Sequence, residues 1–204
     1  RGYHTSEDSR VTRLMPVTDG WLRTVVVALA AAVGLSDTTT VAATTTADVD
    51  VTFVESGITT NTTWTPADGP YRVIQDVEID PDATLTIEPG TTVEIAEDTT
   101  VTVSGSLRTD GTAARPVEFT RSDGAAADRR WEGLRYNGTD RSSLRLRQTA
   151  LVGGTAGITV ASSRGRIALV DSTVRDFTTA GLRVTETTGT PSITVRGSTF
   201  RDIG

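Results

Sequence analysis

From Tyr71 onward the chain is written in short alternating runs. Val77-Glu78-Ile79, Leu85-Thr86-Ile87, Val93-Glu94-Ile95, Val101-Thr102-Val103 and Val117-Glu118-Phe119 each set two apolar residues around a polar one, with Gly, Pro and Asp between the runs. A period of two with many β-branched residues predicts half-buried strands. Strands this short bury only one or two side chains each, too few for independent hairpins, so they have to stack.

The C-terminal third carries the repeat that stacking requires. Leu144-Arg145-Leu146, Ile167-Ala168-Leu169 and Ile193-Thr194-Val195 open three units, 23 and then 26 residues apart. The second and third continue in step, Asp171-Ser172-Thr173-Val174-Arg175-Asp176-Phe177 against Gly197-Ser198-Thr199-Phe200-Arg201-Asp202-Ile203. The first follows more loosely, with Gly157-Ile158-Thr159-Val160 against Gly181-Leu182-Arg183-Val184. Three short strands in about two dozen residues have the dimensions of one turn of a parallel β-helix, its turns stacked about 4.8 Å apart. The predicted fold class is therefore all-β, a solenoid with an N-terminal cap and roughly five coils over 61–204. Ile167 is expected over Ile193, Leu169 over Val195, Val174 over Phe200 and Phe177 over Ile203. Thr fills outward strand positions. A leucine-rich repeat has a similar period, but its asparagine ladder and Leu-x-x-Leu-x-Leu pattern are missing. The last unit stops at Asp202-Ile203-Gly204, before an equivalent of Ala180 to Val184, so further coils are expected beyond it.

The N-terminal part follows another pattern. Val25 to Leu35 is an unbroken apolar run, preceded by Arg23 and followed by Val41-Ala42-Ala43. That is the three-part pattern of a signal peptide, and the run is too short to span a bilayer. Residues 15–43 are read as a signal peptide helix starting at Met15, with cleavage between Ala43 and Thr44. Residues 1–14 are then an upstream extension or a mis-assigned start, and 44–60 a disordered, Thr-rich leader open to O-glycosylation. Asp19 is out of place in a basic n-region, and an ordinary amphipathic helix is the alternative. The two Asn of the chain, Asn61 and Asn137, both head Asn-x-Thr glycosylation sequons. Together these features predict a secreted or cell-surface glycoprotein without a transmembrane span after cleavage.

Composition narrows the chemistry. The net charge is −6 and there is no Cys, which excludes disulfide frameworks, zinc knuckles and thiol enzymes and argues against a nucleic-acid partner. All basic side chains except His4 are Arg. Thirteen acids face two Arg between Thr44 and Asp110, whereas fourteen Arg face nine acids from Gly111 on. An acidic, Lys-free surface suits high salt, and it is similar to haloarchaeal proteins; a GC-rich genome gives a related bias.

A family resemblance rests on Asn61 to Trp64 and Pro70-Tyr71, on Ala83-Thr84-Leu85-Thr86-Ile87-Glu88-Pro89-Gly90-Thr91-Thr92-Val93, on Gly105 to Thr112, on Pro116 to Thr120, and on Trp131-Glu132-Gly133-Leu134. These segments resemble the N-terminal coils of secreted, pectate-lyase-like right-handed parallel β-helix surface proteins, which implies a right-handed coil here. The resemblance implies a fold more sharply than a chemistry, because such proteins include polysaccharide lyases, glycosidases, adhesins and surface-layer components.

From Thr44 on there is no His, Cys, Lys or Met, so acid–base work falls to Asp, Glu, Tyr or Arg. A glycosidase needs two carboxylates about 5–9.5 Å apart; a pectate-lyase-like reaction implies calcium held by carboxylates and an Arg base. The catalytic candidates are Asp176 and Asp202 with Arg175 and Arg201, against a plain ladder of solvated repeat charges. Asp76, Glu78, Asp80 and Asp82 are the candidate calcium ligands, against a solvated acidic strand. Trp131 and Tyr136 are candidates to stack on sugar rings, against a place in the core. Arg129-Arg130 and Arg141 to Arg147 form a basic stretch able to meet anionic glycans or to pair with the acidic front. The expected function is that of a cell-surface structural or carbohydrate-binding module with a polysaccharide or cell-envelope partner. The alternatives are a lyase or glycoside hydrolase acting on acidic polysaccharide, and an S-layer or adhesin stalk.

Overall fold

A computed structural model describes residues 51–122, 129–162, 164–185 and 189–204. Every regular element among them is a β-strand, and the strands follow one another around a coil. The first turn holds β1 (Thr52–Val54), an isolated bridge at Ile58 and β2 (Thr62–Trp64). The second holds β3 (Tyr71–Val73), β4 (Val77–Ile79) and β5 (Thr84–Ile87); the third β6 (Thr92–Ile95), β7 (Thr100–Val103) and β8 (Ser106–Thr109). The fourth is β9 (Val117–Arg121), β10 (Gly133–Tyr136) and β11 (Ser143–Arg147), and the fifth β12 (Thr149–Val152), β13 (Ala156–Val160) and β14 (Arg166–Val170). The sixth is β15 (Thr173–Phe177), β16 (Ala180–Val184) and β17 (Ser192–Arg196), after which β18 (Thr199–Ile203) opens the next.

Each strand pairs in parallel with its equivalent one turn away. This gives three sheets: sheet A, β1-β3-β6-β9-β12-β15-β18; sheet B, β4-β7-β10-β13-β16; and sheet C, β2-β5-β8-β11-β14-β17. The protein is a parallel β-helix of about six turns. The expected stacks are present, Ile167 on Ile193, Leu169 on Val195, Val174 on Phe200 and Phe177 on Ile203.

Two expectations about the N-terminal side are corrected. β1 and Ile58 fall inside 44–60, read from sequence as leader, and they form a turn of the coil rather than an extension. Six turns therefore stand where five were expected. The signal peptide 15–43, the segment 1–14 and the Ala43/Thr44 cleavage site lie outside the described residues. Among the described residues no helix is long and apolar enough to cross a membrane.

The interior is built of columns. Tyr71, Val93, Phe119, Leu151 and Val174 run up sheet A, Val101, Leu134 and Ile158 up sheet B, and Leu107, Leu144 and Ile167 up sheet C, all buried. Each such side chain contributes about 1.5–3 kcal/mol on burial. In the first turns the rings of Trp64 and Tyr71 stack at 4.5 Å, and the Tyr71 hydroxyl accepts from the Thr65 N–H at 3.0 Å. Burial pushes the Tyr71 phenol above its ordinary value, with help from the nearby Asp68 and Glu88 carboxylates.

The corner from sheet C to sheet A has its own chemistry. Gln148, Asp171 and Gly197 take positive φ there, turning the chain sharply. The following Thr149, Ser172 and Ser198 accept for one another along the coil: the Thr149 N–H donates to Ser172 Oγ at 3.2 Å and the Ser172 N–H to Ser198 Oγ at 3.1 Å. Thr109 joins through its hydroxyl, 2.6 Å from that of Thr149. A hydroxyl ladder thus satisfies backbone donors that the sharp corner removes from the sheet. Thr91 occupies the same column next to Val117, which offers no hydroxyl. Its Oγ1 is the buried side-chain polar atom left without a partner among the described residues.

Candidate functional site

A β-helix presents three outward faces, and here their charges differ. On sheet A, Arg72 and Arg175 are matched by carboxylates, whereas Arg201 has no carboxylate partner among the described residues. Arg72 lies in register with Glu94 and bonds it at 2.5 Å, and Arg175 holds Asp176 at 2.5 Å. On sheet B the outward row runs Glu78, Thr102, Arg135, Thr159, Arg183. A shallow depression of about 110 Å³ there is lined by Glu132, Gly133, Arg135, Thr159 and Arg183 among others.

Sheet C is different. Arg108 on β8 is directly beside Arg145 on β11, and Arg147 follows two residues along the same strand. Arg166 on β14 lies beside Ser143, and Arg196 on β17 shares a row with Arg147 through Val170. All five arginines are exposed. Arg108 bonds Asp110 through Nε at 2.8 Å. Among the described residues no carboxylate pairs with Arg145, Arg147, Arg166 or Arg196. Like charges directly opposite on neighbouring strands destabilise a sheet, so this face carries repulsion that an anion would relieve. The alternation Leu144-Arg145-Leu146-Arg147 sets the arginines outward because both leucines are buried.

The sequence candidates fall in several places. Arg175 stacks on Arg201, and Asp176 and Asp202 occupy equivalent positions on β15 and β18. Both Asp have positive φ, 61° and 52°. That conformation resets the strand's alternation: Arg175 and Asp176 share the outer surface and form an ion pair, while Phe177 turns inward. The Asp176 carbonyl also accepts from Arg130 Nη1 at 2.8 Å. The pair lies outside the sheet B depression and outside a second one of about 260 Å³ lined by Pro66, Gly69, Pro70, Gly90, Thr92 and Glu94.

The acidic set does not converge. Asp76 Oδ1 accepts from the Thr100 N–H at 2.7 Å and Glu78 Oε1 from the Ser104 hydroxyl at 2.6 Å, whereas Asp80 and Asp82 belong to the following corner. Among the described residues no three His, Cys, Asp or Glu side chains gather as a metal site would require. Trp131 and Tyr136 are corrected as sugar-stacking candidates. Both rings are buried, at 0% exposure, with Trp131 Nε1 donating to the Val152 carbonyl and the Tyr136 hydroxyl to the Ser142 carbonyl, so neither offers a face to a ligand. Asn61 and Asn137 are exposed, and Asn61 Oδ1 accepts from the Thr84 N–H at 2.9 Å.

Arg108, Arg166 and Arg196 were missed as partners of the basic stretch around Arg145 and Arg147. The signal was there: all occupy polar positions of strands whose apolar alternates define the core.

The fold defines a parallel β-helix protein whose sheet C carries a row of exposed arginines, four of them without a carboxylate partner among the described residues. No family model matches the chain, and neither characterised proteins nor solved structures match it.

Proposed function

We propose that the protein is an exported cell-surface β-helix module that binds carbohydrate without cleaving it, of the pectate-lyase-like, haloarchaeal kind that its sequence resembles. The observation that carries this reading is the exposed arginine face of sheet C, set on strands of a rigid coil rather than on loops. Export is supported by the apolar run Val25 to Leu35 and the small residues before Thr44, and surface glycosylation by two exposed sequon asparagines. A high-salt habitat is supported by the acidic, Lys-free composition.

The test is incubation of the purified protein, in low and molar salt, with a panel of acidic and neutral polysaccharides. Retention by a glycan with no new reducing ends and no unsaturated sugars is the expected result. Depolymerisation would replace this reading with the lyase or glycosidase alternative. Loss of that turnover in Asp176→Ala or Asp202→Ala would then place the reaction on sheet A.

A further inference from the structure

We infer that the outward face of sheet C is the binding site for a linear acidic polysaccharide, gripped by Arg108, Arg145, Arg147, Arg166 and Arg196; the inference rests on the carbohydrate-binding reading and names its site and ligand class. Four of these guanidinium groups have no carboxylate partner among the described residues; Arg135 and Arg183 on sheet B and Arg201 on sheet A have none there either, but sheet C gathers four such groups on one face. The positive charge of this face is therefore available to a ligand rather than spent internally.

The spacing fits a polymer better than a single small anion. Arg108 and Arg145 sit on adjacent strands, about 4.8 Å apart in backbone, and Arg145 and Arg147 are separated by about 6.7 Å along one strand. Arg196 is two strands from Arg147. Arginines thus recur over four consecutive turns along the coil axis. A uronic-acid or sulfated chain laid along that axis brings an anionic group to successive rungs. Each planar guanidinium accepts such a group bidentately, a geometry that lysine does not offer.

What lies between the arginines also suits a sugar. Ser143, Ala168, Ser192 and Thr194 occupy the outward positions of the same strands. They are small enough to leave room for a pyranose ring, and three carry hydroxyls. Stacked nucleobases would need aromatic platforms, and β8, β11 and β14 present none outward.

The experiment measures binding of the full chain to polygalacturonate, dextran sulfate, neutral dextran and single-stranded DNA at 0.1 M and 1 M salt. It is repeated with Arg145→Gln/Arg147→Gln, with Arg108→Gln, and with Arg135→Gln/Arg183→Gln on sheet B as a control that loses as many charges as the first; circular dichroism verifies folding. Binding to one or both acidic glycans is expected. The double variant should lose about tenfold or more in affinity, as removal of charge-assisted contacts does. Arg135→Gln/Arg183→Gln should change it less than about twofold. Polygalacturonate bound in preference to dextran sulfate identifies the anion as carboxylate, and the reverse as sulfate.

Equal binding of neutral and acidic glycans, or an acidic glycan held as tightly by the double variant, overturns the inference while the carbohydrate-binding reading stands. DNA bound more tightly than any glycan overturns the inference in favour of a nucleic-acid partner. Absence of binding to every glycan overturns both.

Discussion

Replacing Ser172 by Ala tests the hydroxyl ladder on which the C-to-A corner depends. Ser172 Oγ accepts from the Thr149 N–H at 3.2 Å and donates to the Val170 carbonyl at 2.9 Å. Both Ser172 and Thr149 are almost wholly buried, at 4% and 2% exposure, so water does not reach the site to take the hydroxyl's place. Ala removes the acceptor and leaves the Thr149 N–H orphaned. A buried donor without a partner costs about 1–3 kcal/mol. For a protein of this size each kcal/mol lowers the melting temperature by about 2–4 °C, so Ser172→Ala should melt about 2–12 °C below the parent. Ser172→Thr keeps the hydroxyl in a column where Thr149 already fits, so the Thr149 amide should stay as protected as in the parent and any loss should come only from packing the added methyl. Because each turn contacts mainly its neighbours, the damage should be local. Thermal unfolding gives the magnitude, and hydrogen exchange gives the place: the Thr149 amide should exchange faster in Ser172→Ala while the amide of Leu85 is unchanged. An unaltered melting temperature with unaltered Thr149 exchange would refute the argument. So would a Thr variant whose Thr149 amide exchanges as fast as in the Ala one.

Thr91→Val removes the orphaned hydroxyl with almost no change of shape and should raise stability by about 1 kcal/mol in urea unfolding; a loss would show that Thr91 has a partner. Gly157→Ala places a methyl 2.4 Å from the Gly181 carbonyl oxygen and 2.7 Å from Val174 Cγ1, and it should cost about 1–3 kcal/mol by thermal melting. For Tyr71, the folded-state pKa is raised above its ordinary 10.0. The unfolded chain therefore releases this proton first, and the folded state loses stability as the pH rises past about 10. Unfolding measured at pH 8 and at rising pH above 10 should show that decline, and Tyr71→Phe should flatten it; the absence of Lys keeps this window clear of ammonium titration.

The columns were legible because two constraints agree. Period-2 alternation sets which residues of Ile167-Ala168-Leu169 point inward, and the repeat sets which residue of the next turn lies above, so a one-residue error would have turned the core out to solvent. The first turn was not legible: Thr52-Phe53-Val54 offers one buried residue, Val54, and an exposed Phe53, inside a Thr-rich context that reads as linker. That Arg175 and Asp176 share a surface was not legible, for another reason. Alternation alone puts neighbours on opposite faces, and a left-handed residue breaks it; Asp tolerates that conformation, but the sequence does not mark which Asp adopts it. Tyr136 could have been placed, since it follows buried Leu134 by two. The arginine face was half visible. Arg145 and Arg147 are close in sequence, whereas Arg108 lies a longer fourth turn away and only the strand register joins it to them.

Net charge and local charge answer different questions in this protein. The value of −6 describes the field at long range, where an acidic front and a basic back largely average out. At 1 M salt the Debye length shrinks to about 3 Å, so that field reaches little beyond contact. What remains is geometry: which guanidinium forks lie where, and whether something internal already occupies them. On sheet A the forks of Arg72 and Arg175 are filled by Glu94 and Asp176. On sheet C, Arg145, Arg147, Arg166 and Arg196 are not filled by carboxylates among the described residues, and their spacing is fixed by strand register rather than by side-chain flexibility. The glycan site proposed for sheet C would therefore select ligands by the spacing of their anionic groups, and would keep that selectivity under conditions that screen simple charge attraction.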